Sequence, residues 1–119
     1  PTAMQLNQGL PLYIVEHLER QYDLAELTVG ILGMAFKGGS DDIRSSLSYK
    51  LRRILMFRAA RVLCTDPYVT GDPRLAPQAE VVEAADLLII GAPHPEYREL
   101  VTDTPIVDVW NLRGGGNLL

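Results

Sequence analysis

Residues 27–44, LTVGILGMAFKGGSDDIR, join an apolar run to a polar loop rich in glycine. The apolar run 27–36 is made of small, branched and aromatic residues without polar alternation, which is typical of a strand covered on both faces of a parallel sheet. Residues 33–44 hold three glycines, a lysine, two aspartates and an arginine, and they lead into a segment with helical periodicity. The stretch therefore predicts a strand, a loop and a helix N-terminus in series.

The rest of the chain repeats this alternation of strand and helix. Helices are predicted over residues 10–22, 45–60, 79–85 and 95–101, and strands over 61–66, 86–93 and 105–110 in addition to the first strand. Ser45 or Ser46 can cap the second helix, and residues 67–77, with three prolines and a glycine, predict an irregular surface loop. Such alternation predicts an α/β three-layer sandwich with a mostly parallel sheet and helices on both faces.

Bulk composition restricts the function classes. The chain has 119 residues, enough for one domain with a single core, and no apolar stretch approaches the roughly 18 residues of a membrane span. The net charge is -4 and basic residues are scattered, so a nucleic-acid surface and a membrane partner are not expected. Cys64 stands alone and is interpreted as a buried core thiol, which excludes an internal disulfide.

The N-terminus predicts a location and an origin. It lacks the charged region, apolar core and cleavage site of a signal peptide, so we expect a cytoplasmic protein. The chain begins at Pro1, and Met4 is a poor start because the residues before it would be unexplained. The hypothesis that follows is a piece of a longer polypeptide.

The loop at 33–44 has the residues of a phosphate site but the spacing of neither common nucleotide motif. Glycines let a backbone approach a ligand, the following helix N-terminus favours an anion, and Lys37 adds a positive charge. A tight turn with Lys37 in water is the alternative. The G-x-G-x-x-G and G-x-x-x-x-G-K-[ST] patterns both fail, although Asp66 at the end of the second strand imitates the acidic residue that holds a ribose, which keeps NAD binding in this domain as a further hypothesis.

Other polar residues each have two interpretations. Asp41 and Asp42 with Arg44 are either an acid/base site or the scaffold of the loop, and the scaffold is favoured. His94, between two prolines at the end of the third strand, either lines a pocket or is a loop histidine. Trp110 either stacks on a base or covers the core. No metal-ligand spacing and no catalytic triad can be assembled, so the chain alone does not resemble a complete enzyme.

Residues 29–46, VGILGMAFKGGSDDIRSS, resemble the signature of the C-terminal domain of the UDP-glucose/GDP-mannose dehydrogenase family, in which a strand ends in G-L-A-F-K and continues through T-D-D-x-R-x-S into a helix. Four further segments are similar to family segments in the same order: NQGLPLYIVEHL (7–18), CTDPYV (64–69), AADLLIIGAPHPEYREL (84–100) and PIVDVWNL (105–112). The resemblance covers essentially the whole chain.

The resemblance implies a Rossmann-like domain, residues 1–119, with a lead-in helix at 1–25, a core at 26–113 and a tail at 114–119. It implies the substrate-binding part of an enzyme that oxidises the C6 alcohol of a nucleotide sugar to a carboxylate in two NAD-dependent steps, in polysaccharide biosynthesis. NAD and the nucleophilic cysteine would belong to other domains of the same polypeptide, and the full enzyme would be a homodimer. The isolated chain is expected to be inactive. A free-standing Rossmann-like nucleotide-binding or regulatory module is the alternative.

The resemblance also implies site residues. Phe36 and Lys37 would contact the nucleotide sugar, and Arg113 would supply the charge of the family's nucleotide-holding arginine. The loop would be shaped by Gly33, Ser40, Asp41, Asp42 and Arg44.

Three departures from the family pattern bear on these roles. Ser40 replaces a threonine, and Leu47 replaces a helix-opening proline. Asp108-Val109-Trp110-Asn111 stands where animal UDP-glucose enzymes have D-G-R-R, which puts UDP-glucose in doubt and leaves UDP-N-acetylhexosamine or another nucleotide sugar open.

Overall fold

A computed structural model describes residues 3–35, 46–110 and 112–113 of the chain. These residues form three α-helices, α1 at Ala3–Gln21, α2 at Leu47–Arg58 and α3 at Gln78–Ala84, and two 3-10 helices at Leu24–Glu26 and Pro95–Glu99. The same described residues form four strands, β1 at Thr28–Leu32, β2 at Arg61–Thr65, β3 at Leu87–Ile90 and β4 at Ile106–Val107. The predicted order of elements is confirmed. Within the described ranges, no helix is both long and apolar enough to span a membrane.

The strands pair in the order β2-β1-β3-β4, and all three pairings are parallel. Helices α1 and α2 pack together, and α2 contacts β1 and β2 on one face of the sheet. Helix α3 contacts the same two strands on the opposite face. Two separate apolar clusters result, one with α1 and α2 and one with α3. The predicted α/β sandwich with a parallel sheet and helices on both faces, preceded by an N-terminal helix, is therefore confirmed.

Alternate residues of β1 serve the two clusters, because successive side chains of a strand point to opposite faces. Val29 and Ile31 pack in the cluster of α1 and α2, and Leu32 packs in that of α3. Gly30 lies on the α3 face, where a Cβ atom would meet Val81 Cγ1 at 2.7 Å. The absence of a side chain there lets α3 approach the sheet closely.

Several element boundaries differ from the predicted ones. Helix α1 begins at Ala3 instead of residue 10, because residues 3–6, Ala-Met-Gln-Leu, are good helix formers. Pro11 therefore lies inside the helix. Strand β1 ends at Leu32 instead of residue 36, since Gly33 has a φ of 93° that leaves the extended conformation. The segment at Pro95–Glu99 is a 3-10 helix, and β4, at the edge of the sheet, is shortened to two residues.

The strand order reverses between β1 and β3. From β1 the chain moves to β2 on one side, and the next strand, β3, lies on the other side of β1. In open parallel sheets this switch point, at the carboxyl ends of the strands, is where ligands bind. Gly33 and Gly91 follow the two central strands there, and a Cβ atom on Gly91 would lie 2.8 Å from the carbonyl oxygen of Gly33 and overlap Ser48 Oγ.

We predict that Gly91→Ala destabilises the protein by about 1 to 3 kcal/mol, because the added methyl group overpacks the switch point. It would also displace the Ser48 hydroxyl from its hydrogen bond to the Gly33 carbonyl. Denaturant unfolding measures the change. Gly71→Ala is the control, since a Cβ atom there meets nothing within 4 Å and should change stability by less than about 0.5 kcal/mol. Equal stability of the two variants would contradict the prediction.

Candidate functional site

The carboxylate of Asp66, the residue after β2, lies at the carboxyl edge of the sheet and is bound by several segments. Its Oδ2 accepts hydrogen bonds from the backbone N–H groups of Met34, at 2.6 Å, and Ala35, at 3.0 Å. Its Oδ1 accepts from the N–H groups of Tyr68, at 2.7 Å, and Val69, at 3.1 Å. One buried side chain thus binds the backbone that follows β1 and the backbone that follows β2.

His94 supplies a further donor to the same carboxylate. Its Nε2 lies 2.7 Å from Asp66 Oδ2, and both side chains are fully buried. Because a carboxylate has no proton to give, Nε2 carries the hydrogen of this bond. His94 precedes the 3-10 helix that follows β3, so the segment after a third strand is joined to Asp66.

The rings of Tyr68 and Tyr97 pack against His94, and Glu96 binds one of these tyrosines. The ring of Tyr68 lies 4.7 Å from the imidazole and that of Tyr97 lies 5.8 Å from it, centroid to centroid. The Tyr68 hydroxyl donates to Glu96 Oε2 at 2.6 Å. Tyr97 is buried, and its hydroxyl has no hydrogen-bond partner within the described part of the chain.

The pKa of Asp66 reflects two opposing effects. Burial raises it, but the hydrogen bonds from His94 and from the N–H groups of Met34 and Tyr68 stabilise the ionised form more strongly. The pKa of Asp66 therefore lies below its ordinary value of 3.8, and the group is a carboxylate at neutral pH.

The start of α2 holds the other side of the segment after β1. Ser46 is the N-cap of α2, and its Oγ accepts from the Ser48 N–H at 3.1 Å, so one of the two predicted caps is selected. The Ser46 hydroxyl donates to the Met34 carbonyl at 2.8 Å, and the Ser48 hydroxyl donates to the Gly33 carbonyl. The carbonyls of Gly33 and Met34 are thus bound by serine hydroxyls at the start of α2, and the amides of Met34 and Ala35 are bound by Asp66.

Arg113 lies on the same edge, after β4. Both oxygens of the buried Asp108 accept backbone N–H groups, Oδ1 from Leu112 and Oδ2 from Arg113. The Arg113 guanidinium donates one bond to the Tyr97 carbonyl at 2.7 Å and is otherwise exposed. Trp110, the neighbouring aromatic residue, has 42% of its surface exposed. A guanidinium fixed at one nitrogen keeps further N–H donors for an anion.

Of the predicted site residues, the structure places Gly33 and Arg113 on one edge of the sheet. The other predicted residues, Phe36, Lys37, Ser40, Asp41, Asp42 and Arg44, lie outside the described residues. Their roles, and those of Gly33 and Arg113, stay predictions.

Sequence reasoning missed the Asp66–His94 pair. Asp66 was weighed as a ribose ligand, but both of its oxygens are occupied by donors of its own chain, which leaves little capacity for a ligand. His94 is in a loop but is a buried hydrogen-bonding residue. The available signal was that Asp66 directly follows β2 and His94 lies in the segment after β3, because the carboxyl ends of parallel strands share one edge of the sheet.

Two further polar side chains, Cys64 and Asp72, have structural roles. Cys64 is buried as predicted, and burial raises the pKa of its thiol to about 11, so it is protonated and inert at neutral pH. Asp72 binds Arg74 and the Tyr49 hydroxyl and ties the 67–77 loop to α2; the bond from Arg74 lowers the pKa of Asp72. Within the ranges that the structure describes, no group of three His, Cys, Asp or Glu side chains could hold a metal ion.

The parallel sheet with helices on both faces and the reversal of strand order at its carboxyl edge define a Rossmann-like α/β domain. Residues 30–114 match the model of the UDP-glucose/GDP-mannose dehydrogenase family, UDP binding domain. The chain belongs to this family, and the resemblance stated from the sequence is confirmed.

Individual relatives agree. The chain is 33% identical over 103 residues to a UDP-N-acetyl-D-mannosamine dehydrogenase of Pyrococcus horikoshii, a match that covers 82% of this chain and 24% of that protein. It is similar to the structure of a UDP-glucose dehydrogenase from Pyrobaculum islandicum, with a TM-score of 0.74 and 31% identity over 92% of this chain and 29% of that one. It is also similar to the UDP-N-acetyl-mannosamine dehydrogenase Cap5O of Staphylococcus aureus, with a TM-score of 0.79 and 26% identity over 91% of this chain and 28% of that one. The chain spans about a quarter of the length of the curated relatives it matches.

We predict that Asp66→Asn lowers the free energy of unfolding at pH 7 by roughly 3 kcal/mol, because an amide replaces a charged acceptor among buried donors. The folded pKa of Asp66 is depressed, so its contribution is complete above the unfolded value of 3.8 and is lost as pH falls through the folded value. The gap between parent and variant should therefore shrink at about pH 3. Denaturant unfolding at both pH values measures it.

Asp103→Asn is the matched control, since Asp103 is exposed. It should change stability by less than about 0.5 kcal/mol. A difference between the parent and Asp66→Asn that is the same at both pH values would contradict the role of the ionised carboxylate.

Proposed function

We propose that this chain is the nucleotide-sugar-binding domain of an NAD-dependent nucleotide-sugar 6-dehydrogenase, which oxidises the sugar C6 alcohol to a carboxylate. The observation that carries the proposal is the position of Gly33, the first residue of the segment 33–44 that carries the family's loop sequence. Gly33 follows β1 at the switch point of the sheet, where ligands of parallel α/β folds collect. The substrate diphosphate would be held by Lys37, with Phe36 beside the sugar nucleotide and Arg113 as a second cation.

The cofactor does not fit this chain. A ribose of NAD needs an acidic residue with a free oxygen at the end of β2, but Asp66 is already bound by donors on both oxygens. The glycine fingerprint that would take the pyrophosphate is absent from the sequence. NAD and the catalytic cysteine are therefore assigned to other domains of a longer polypeptide, and the chain by itself should be inactive.

Those domains are proposed as the partners of this one, in a cytoplasmic homodimeric enzyme of polysaccharide biosynthesis. Large apolar side chains exposed on α1 and α2 support such a contact; they are Leu12, Tyr13, Met56 and Phe57. Large apolar side chains that are exposed together on neighbouring helices mark a surface whose burial against a further domain lowers the free energy. We propose a nucleotide sugar as the substrate class rather than UDP-glucose in particular, because Trp110 stands where animal UDP-glucose enzymes carry an arginine.

We predict that the chain binds UDP and that Lys37→Ala weakens the binding about 10- to 100-fold, which is the loss of one charge-assisted hydrogen bond to a phosphate oxygen. Isothermal titration with UDP measures the dissociation constants. Lys50→Ala is the matched control, because Lys50 is the only other lysine and lies on α2. It should bind UDP as the parent does.

Titration with NAD supplies the opposing outcome. NAD binding in preference to UDP would overturn the proposed function and would return the domain to the dinucleotide-binding class. Equal weakening by both lysine substitutions would show that net charge, rather than a contact of Lys37, controls the affinity.

We predict that Arg113→Ala weakens UDP binding by about tenfold, because a fixed guanidinium at the edge of the sheet is lost. Arg98→Ala is the control, since Arg98 is an exposed arginine of the 3-10 helix Pro95–Glu99 and changes the net charge equally. Titrations of both variants at the same ionic strength make the comparison. Unchanged binding by Arg113→Ala would remove this residue from the site.

A further inference from the structure

We propose that His94 and Asp66 are positioning residues for nucleotide binding. The buried pair fixes the backbone at Met34 and Ala35, the two residues that precede the proposed substrate contacts Phe36 and Lys37. The inference rests on the proposed function, since it concerns the affinity of the same site. Neither residue is proposed to touch the ligand.

The first step is the arrangement around Asp66 Oδ2. This single oxygen accepts from Met34 N, Ala35 N and His94 Nε2, at 2.6, 3.0 and 2.7 Å. Two successive amides bound to one oxygen fix the orientation of two peptide planes. His94 Nε2 contacts the same oxygen, so the position of Oδ2 also depends on the imidazole.

The second step is the place of those amides in the chain. Met34 and Ala35 directly precede Phe36 and Lys37, the proposed substrate contacts. The carbonyls of Gly33 and Met34 are bound by Ser48 and Ser46 of α2, so the segment is held from both sides. Hydrogen bonds weaken steeply when donor and acceptor are misaligned, so a displaced backbone at this point would weaken the bonds that the following residues make to a ligand. The internal bonds of Asp66 therefore act on the ligand through the backbone.

The third step is the rigidity of the imidazole. His94 is buried, it lies between the rings of Tyr68 and Tyr97, and it is followed by Pro95, which restricts the backbone. The hydroxyl of Tyr68 is bound in turn to Glu96 of the same 3-10 helix. An imidazole held in this way can maintain the carboxylate in one orientation.

The test compares two polar substitutions of His94 that differ by one methylene group. The side-chain amide of His94→Gln can place a donor where Nε2 stands, whereas that of His94→Asn is too short to reach Asp66 Oδ2. His17→Asn is the matched control, because His17 is the only other histidine and lies on α1. The chain, labelled with ¹⁵N, is examined by amide hydrogen exchange and is titrated with UDP.

The expected result is that His94→Asn loses exchange protection at Met34 and Ala35 and binds UDP about tenfold more weakly, while His94→Gln restores both properties. His17→Asn should match the parent. Should His94→Asn not fold, Asp66→Glu tests the same point, since it keeps the charge but moves the carboxylate away from the two amides. It should weaken UDP binding by a similar factor.

Two results would overturn the inference. If the parent binds UDP and folded His94→Asn or Asp66→Glu binds it equally tightly, the pair has a purely structural role. The proposed function would then remain intact. A parent chain that does not bind UDP would overturn the proposed function, and the positioning role with it.

Discussion

The buried carboxylate of Asp66 is the interaction on which the carboxyl edge of this domain depends. An ionised group removed from water is unfavourable unless hydrogen bonds replace its hydration, and Asp66 accepts bonds from four backbone amides and one imidazole. The donors come from the segments after β1, β2 and β3. Because each donor is needed to compensate one charge, none of the three segments can shift without cost to the others.

The parallel sheet makes this convergence possible. Parallel strands bring their carboxyl ends to one edge, and the order β2-β1-β3 puts the segment after β1 between its two partners. Gly33 then turns the backbone with a positive φ, and Gly91 leaves the space through which Ser48 reaches the Gly33 carbonyl. The edge is held by polar contacts, whereas the two faces of the sheet are held by apolar packing.

The elements of the fold were predictable because their signals are local. The apolar run at Leu87–Ile90 is buried throughout, and Ser46 caps α2 directly before its first periodic leucine. Cys64 lies in an apolar strand and is buried, as its neighbours imply. The boundaries were less predictable: β1 ends at Leu32, although Met34 and Ala35 are just as apolar, because the hydrogen bonds of those residues go to Asp66 instead of a neighbouring strand.

The sequence by itself determined the alternation of strands and helices and the family, and it predicts the loop at 33–44 as the place where a nucleotide sugar would be bound. Only the tertiary structure decided what Asp66 and His94 do. An aspartate after a strand can hold a ribose or bind its own backbone, and local sequence is the same in both cases. The choice depends on which donors lie within hydrogen-bond distance, and those on Met34, Ala35 and His94 belong to residues 28 to 32 positions away along the chain. Only the packing of the sheet brings them together.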